Sequence, residues 1–325
     1  MQQRRVGRTG LTVSSIGLGT MTWGRDTDEH DAAEQLEVFL EAGGTLLDTA
    51  ATYGDGASEA LIGRLLGAGV DRQDVVLVSK AGVRSRRTAD GGGVVDASRG
   101  SLLDALDDSL DRLGTDHLDL WLVQSPDPAT PLEETLGALE HAVATGRTRY
   151  VGLSNYPAWT TAQAATLLAR PSGPGLAAVE VEYSLLQRGV ERELVPAACA
   201  LGAGVLAWSP LGRGVLTGKY RATVPASSRA ASPHLRGFVE PYLNDRAHGV
   251  VEAVTTAAVG LGRTPLEVAL AWVRDAPGVS CAVAGARTVG QLRGVLGAVD
   301  LELPAPIRAV LDEVTAPEIG YPERF

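Results

Sequence analysis

Residues 45–80 read TLLDTAATYGDGASEALIGRLLGAGVDRQDVVLVSK. A short apolar run, TLLDTA, enters a glycine-rich turn, an amphipathic stretch follows over 57–66, and a second β-branched run, VVLVS, closes the unit. Strands this short and this apolar belong to a parallel sheet covered by helices. Ionisable side chains stand at their C-terminal ends: Asp48 on the first, Lys80 on the second, with Tyr53 in the turn between.

The same alternation extends in both directions. Further strand-like runs are SIGLG (15–19), DLWLVQ (119–124), YVGLS (150–154), AVEVE (178–182), GVLAWS (204–209) and VSCAVAG (279–285). Amphipathic stretches lie over 28–42, 98–113, 131–145, 158–169, 190–201 and 245–259. Eight such units favour a closed α/β barrel, the (β/α)8 or TIM type, over an open doubly wound sheet. VGRTGLTVS near the start predicts a β-hairpin turning at Gly10. After the seventh strand, residues 209–244 form a Gly-, Pro-, Ser- and Arg-rich loop too long for an ordinary βα connection. No shift in composition marks a second domain, so residues 1–325 read as one barrel.

In a barrel the strand ends converge on one mouth. Asp48, Lys80, Gln124, Ser154, Asn155, Glu180 and Trp208 all fall at or near such ends. Lysine occurs only at positions 80 and 219, in a chain that otherwise uses arginine for positive charge. A compact ammonium can be buried beside a phenol and polarise it, a task ill suited to a planar guanidinium. A phenol titrates near pH ~10, so a tyrosine that gives up its proton at neutral pH needs such a neighbour.

Composition sets limits. The 325 residues are 45% hydrophobic and 21% charged, which is globular, and the net charge of -10 argues against nucleic acid or an anionic membrane as partner. No apolar run reaches the roughly 18 residues of a membrane span, and no apolar leader opens the chain. Cys199 and Cys281 lack metal or disulfide spacing. A cytoplasmic protein is the expectation. The short cluster Arg84, Arg86, Arg87 reads as a solvated loop, and the histidines at 30, 117, 141, 234 and 248 as surface or capping groups without metal spacing.

Gly17-Leu18-Gly19 lacks the third glycine of a dinucleotide fingerprint, and Gly152-Leu153-Ser154-Asn155 lacks the glycine that a nucleophile elbow needs after its serine. Trp121 is out of phase with Leu120 and Leu122, so it should pack between barrel and helices. Trp23, in GTMTWG beyond the first strand, is expected to wall a pocket.

GLGTMTWG, LLDTAATYGDGASEALIGRLL, VLVSKAG, SLLDALDDSLDRLGTDHLDLWLVQSPDPATP, YVGLSN, VEVEYSLL, AWSPLGRGVLTGKY and AVAGARTVGQL, in this order, resemble the aldo-keto reductases. The WSPLGRGVLTGKY form is similar to the branch that holds bacterial reductases and potassium-channel β subunits. The resemblance implies an NADP(H)-dependent reduction of an aldehyde or ketone to an alcohol. Tyr53 would be the general acid, Lys80 would lower its pKa, Asp48 would fix Lys80, and Gln124 would replace the family's histidine as an orienting amide.

For the cofactor, the resemblance implies Ser154, Asn155 and Glu180 at the nicotinamide carboxamide, with Trp208 against the ring. Glu180 stands where a glutamine is usual. Gly19, Thr20, Met21, Asp48 and Gly285 would adjoin the cofactor. Backbone of Ser209, Leu211, Gly212 and Gly214 would wrap the pyrophosphate, and Lys219, Arg229, Arg287 and Gln291 would surround the 2′-phosphate. Val295 stands where the family often has an asparagine near adenine. Trp23, Tyr53 and Ser125 would shape the pocket for a small carbonyl substrate whose identity the sequence leaves open, as it does the oligomeric state. Gln124 also keeps an alternative in view: a subunit that binds NADP(H) as a sensor, with little turnover.

Overall fold

The structure, a computed structural model, describes the chain except residues 86–92, 172, 222, 226–227, 232–234, 318–319 and 321–325, and except the side chains of Ser85 and Arg229. Arg86, Arg87, His234 and most of the C-terminal tail therefore lie outside the described residues.

An antiparallel hairpin, β1 (Gln3–Arg5) and β2 (Thr12–Ser14), precedes the first barrel strand, β3 (Ile16–Gly19). The chain then runs through α1 (Glu29–Glu41), β4 (Leu46–Asp48), α2 (Ala57–Gly67) and β5 (Val76–Ala81). A second hairpin follows, β6 (Val83–Ser85) with β7 (Gly93–Val95), before α3 (Arg99–Leu113) and β8 (Leu118–Val123). Next come α4 (Leu132–Ala144), β9 (Thr148–Ser154), α5 (Ala158–Leu168), β10 (Ala178–Glu182), α6 (Leu194–Leu201) and β11 (Gly204–Trp208). The one-turn α7 (Arg236–Val239) lies within the long loop, and α8 (Asp245–Leu261), α9 (Pro265–Arg274), β12 (Val279–Ala284), α10 (Val289–Leu296) and α11 (Ala305–Val314) complete the chain.

Eight parallel strands close in the order β3-β4-β5-β8-β9-β10-β11-β12, with β12 pairing back onto β3 through Ala282 opposite Ile16. Strand alternation divides the apolar residues into two cores. Leu46, Val78, Leu120, Leu122, Leu206 and Cys281 point inward and pack with Val6, Leu11 and Val13, so the N-terminal hairpin plugs the barrel floor. Leu47, Leu77, Trp121 and Val151 point outward against the helices. Trp121 is thus buried where its phase placed it. The barrel interior has no spare room at Gly17, where an added Cβ would come within 2.7 Å of the Leu46 side chain.

Three local readings change. The first hairpin turns on Gly7, which has φ of 56°, while Gly10 is not left-handed. The stretch 190–201 is not one helix: a 3-10 turn at Gly189–Glu191 precedes α6, because Pro196 is tolerated only in the first turn. The β6–β7 hairpin, and α9 to α11, extend the pattern beyond the seven amphipathic stretches, with α9 opened by a Thr264–Glu267 capping box and Pro265. No helix among the described residues is long and apolar enough to cross a membrane.

Candidate active site

A cavity of about 480 Å³ opens at the C-terminal ends of the barrel strands. Asp48 ends β4, Lys80 lies near the end of β5, Glu180 lies in β10, and all three line it together with Tyr53. Each of the three charged side chains is almost wholly buried. Lys80 Nζ is hydrogen-bonded to Asp48 Oδ1, donates to the Thr49 carbonyl at 3.0 Å, and sits 3.3 Å from Glu180 Oε2. It also lies 5.3 Å from the centre of the Tyr53 ring.

Two carboxylates thus share one ammonium. Burial pushes the Glu180 carboxyl up to about 8, Asp48 adds repulsion, and Lys80 only partly offsets them. Burial also raises Asp48, against the pull of Lys80. For Lys80, burial works downward, but Asp48 and Glu180 outweigh it and the ammonium is held charged. Burial raises the Tyr53 phenol; Lys80 pulls it back, while Asp48 and Glu180 push it further up. Lys80 therefore acts on Tyr53 in the expected direction, yet the net shift is upward. A phenol in this setting is a protonated donor.

Amides form the next layer. Gln124 Oε1 accepts from the Thr52 hydroxyl at 3.3 Å, so its NH2 remains the donor end. Asn155 donates to the Gln124 carbonyl (2.9 Å) and to Ser154 Oγ (3.1 Å), while its Oδ1 accepts from Trp208 Nε1 (3.0 Å). One hydrogen-bonded chain therefore ties the ends of β8, β9 and β11.

Part of the long loop covers this mouth. Arg213 grips Glu182, at the end of β10, through paired bonds of 2.8 and 2.6 Å, and donates to the Phe238 carbonyl at 2.6 Å. Its guanidinium lies 4.1 Å from the centre of the Phe238 ring, and Phe238 stacks on Trp208 at 6.4 Å. The four non-glycine residues with positive φ among the described residues are Asp55, Asn155, Ser209 and Arg213. Three of them line the cavity, and Asp55 is two residues from Tyr53. Such backbone strain concentrates at functional sites because the surrounding structure must hold it.

Most of the residues expected at the site meet here. Asp48, Tyr53, Lys80, Gln124, Ser154, Asn155, Glu180 and Trp208 all line the cavity, as do Gly19, Met21, Ser209, Leu211, Gly214, Lys219, Gly285, Arg287 and Gln291. Val295, noted for its departure from asparagine, lines it as well. Four residues stand elsewhere. Trp23 is fully buried behind the loop, its indole donating to Gln35 on α1 at 3.3 Å, so it is core and not pocket wall. Ser125 is half-buried and outside the cavity wall. Thr20 is buried beneath the site, bonded to the Asp48 carbonyl at 2.9 Å. Gly212 packs on Leu186, where a Cβ would approach to 2.7 Å, and does not face the cavity. The Arg229 side chain is outside the described residues.

Sequence reading missed Thr22, Arg213, Thr217 and Phe238, which also line the cavity. Arg213 sits between two glycines in GRG, the one available signal of unusual backbone there.

A closed parallel barrel with buried ionisable groups at the C-terminal mouth is the architecture of a barrel enzyme. The sequence pattern of the Aldo/keto reductase family matches residues 15–315. The chain belongs to that family of oxidoreductases. It is 35% identical to the uncharacterized oxidoreductase YrpG of Bacillus subtilis (strain 168), across 97% of this chain and 96% of that protein. It is 32% identical to a probable voltage-gated potassium channel subunit beta of Oryza sativa subsp. japonica, across 100% and 98%. Protein tas of Escherichia coli (strain K12) is 33% identical across 97% of both chains.

Proposed function

We propose that this protein reduces an aldehyde or ketone to an alcohol with NADPH, Tyr53 serving as the general acid. The observation that carries the reading is the buried Asp48–Lys80 pair beside Tyr53 at the end of a cavity large enough for a ligand. A volume of about 480 Å³ falls within the roughly 300–1,000 Å³ of small-molecule sites.

The lining suits a dinucleotide. Glu180 Oε2 is buried without a hydrogen-bond partner and belongs to a side chain that lines the cavity. Gly214, with φ of 93°, lets the chain pass where a Cβ would crowd Lys219 Nζ at 3.1 Å. Bound NADPH would supply the hydride. Ser154, Asn155 and Glu180 would hold its carboxamide, Trp208 would flank the ring, and Ser209, Leu211 and Gly214 would follow the pyrophosphate. Lys219, Arg287 and Gln291 would meet the 2′-phosphate.

As negative charge grows on the carbonyl oxygen, Tyr53 bonds to it and gives up its proton, and Lys80 stabilises the phenolate left behind. Asp48 keeps Lys80 aimed and charged. Gln124, with its oxygen engaged by Thr52, offers its NH2 to the same substrate oxygen but carries no proton of its own to give. The substrate is a small carbonyl compound, and the two separated thiols suit a cytoplasmic setting.

A second reading, NADP(H) binding with little turnover, is favoured by Gln124 and by the likeness to a protein named as a channel subunit. Fluorescence titration with NADPH, followed by a panel of small aldehydes and ketones, separates the two. Repeated consumption of NADPH supports the reductase; tight binding without consumption supports the sensor; absence of binding sinks both.

A further inference from the structure

A charge imbalance at the cavity floor reaches beyond the reaction itself. Asp48 and Glu180 both lie against one ammonium, yet their environments differ. Asp48 is hydrogen-bonded to Lys80, whereas Glu180 Oε2, 3.3 Å from Nζ, makes no hydrogen bond and is buried. Glu180 is 1% exposed and faces the cavity that Ser154, its register partner on β9, also lines.

We propose that Glu180 is a specificity-determining residue that reads the charge of the nicotinamide: as a neutral acid it favours the reduced ring, and as a carboxylate it favours the oxidised, cationic ring. The inference rests on the cofactor reading above. A buried site with two carboxylates and one ammonium carries an unbalanced negative charge, and low polarity makes that costly. The pair titrates as a unit, and the first proton settles on the carboxyl held only by the longer, 3.3 Å ion pair. A neutral carboxyl can donate its O–H to a carboxamide oxygen, as a glutamine NH2 would. An ionised one cannot donate, but it attracts a cationic ring in the same cavity.

Several groups act on Glu180. Asp48 on β4 and Lys80 on β5 form the bonded pair, and Tyr53 beyond β4 is pushed upward. Burial raises the Cys281 thiol on β12 well above the ordinary thiol range, and both carboxylates add to the rise. Burial pushes the Glu180 carboxyl up to about 8, inside the range a titration can read.

The test has two arms on the full chain. Infrared spectra of the protein without cofactor, from roughly pH 6 to pH 10, should show a buried protonated carboxyl band that fades with rising pH and is missing in Glu180→Gln. Dissociation constants for NADP+ and NADPH over the same range should shift toward NADP+ by about tenfold or more in the natural chain, set by one ionisation. In Glu180→Gln the ratio should stay flat. Gln fills the same volume and leaves the Asp48–Lys80 pair balanced, so the variant should fold. A band that persists in Glu180→Gln overturns the proposal, as does an equal pH dependence of the ratio in both proteins. If neither nucleotide binds at any pH, the cofactor reading itself fails.

Discussion

Glu180 stands where the family resemblance leads one to expect a neutral amide, and its surroundings make it behave in part like one. Its carboxyl lies at about 8 in the fold, against an ordinary 4.5. Between those values the folded chain keeps a proton that the unfolded chain has released. Stability from this group is therefore full below about 4.5 and drains away as pH rises to about 8. Denaturant melts across that window should show a steeper decline in the natural chain than in Glu180→Gln; parallel declines would mean the carboxyl is already ionised. Gln124 gives a second residue-level prediction. Because it orients and does not titrate, Gln124→Ala should slow turnover without moving the alkaline limb of the pH–rate profile. Gln124→His should add a new ionisation near pH ~6–7.

Individual elements explain how these side chains are held. The C-terminal ends of β4, β5, β8, β9, β10 and β11 each deliver one or two polar residues, and the Gln124–Asn155–Trp208 chain locks three of those ends together. The loop after β11 is fastened by the Arg213–Glu182 bonds and the Arg213–Phe238 stack. A fastened cover that lines the cavity should slow cofactor release. Adding NADPH should therefore slow hydrogen exchange in 209–221 and 235–244, and Arg213→Ala should raise the cofactor off-rate several-fold. Protection that appears only elsewhere would mean the loop does not close over the cofactor. Arg287 stands just before α10 and Lys219 in the loop, so two segments bring cations to the cavity wall, with Gln291 of α10 beside them in its lining. Charge-assisted bonds of roughly 1.5–3 kcal/mol each predict a preference for NADPH over NADH of at least about tenfold. Equal dissociation constants for the two nucleotides would remove that assignment.

At the scale of the molecule, strand alternation made the barrel legible before any coordinates: Leu120 and Leu122 face in, Trp121 faces out, and each strand delivers its last residues to one mouth. Asp48, Lys80 and Gln124 were legible for the same reason, and Tyr53 from the turn that follows Asp48. The direction of the loop side chain Trp23 was not. Trp23 turns back into the core because α1 offers Gln35 as a partner for its indole, and period alone carries no such direction. The Lys80–Glu180 ion pair was hidden too, since it depends on how β5 and β10 face each other across the barrel. The β6–β7 hairpin escaped because its strands, VRS and GVV, are three residues each and too short to show a period. Convergence also makes the central claim testable, for it puts binding and chemistry in one cavity but on different residues. The direct measurement is steady-state NADPH consumption with a reactive carbonyl, alongside NADPH binding, in the natural chain and in Tyr53→Phe. Turnover should fall by roughly 10²–10⁴-fold while the dissociation constant barely moves. Full turnover in Tyr53→Phe would show that the proton comes from elsewhere and would contradict the account.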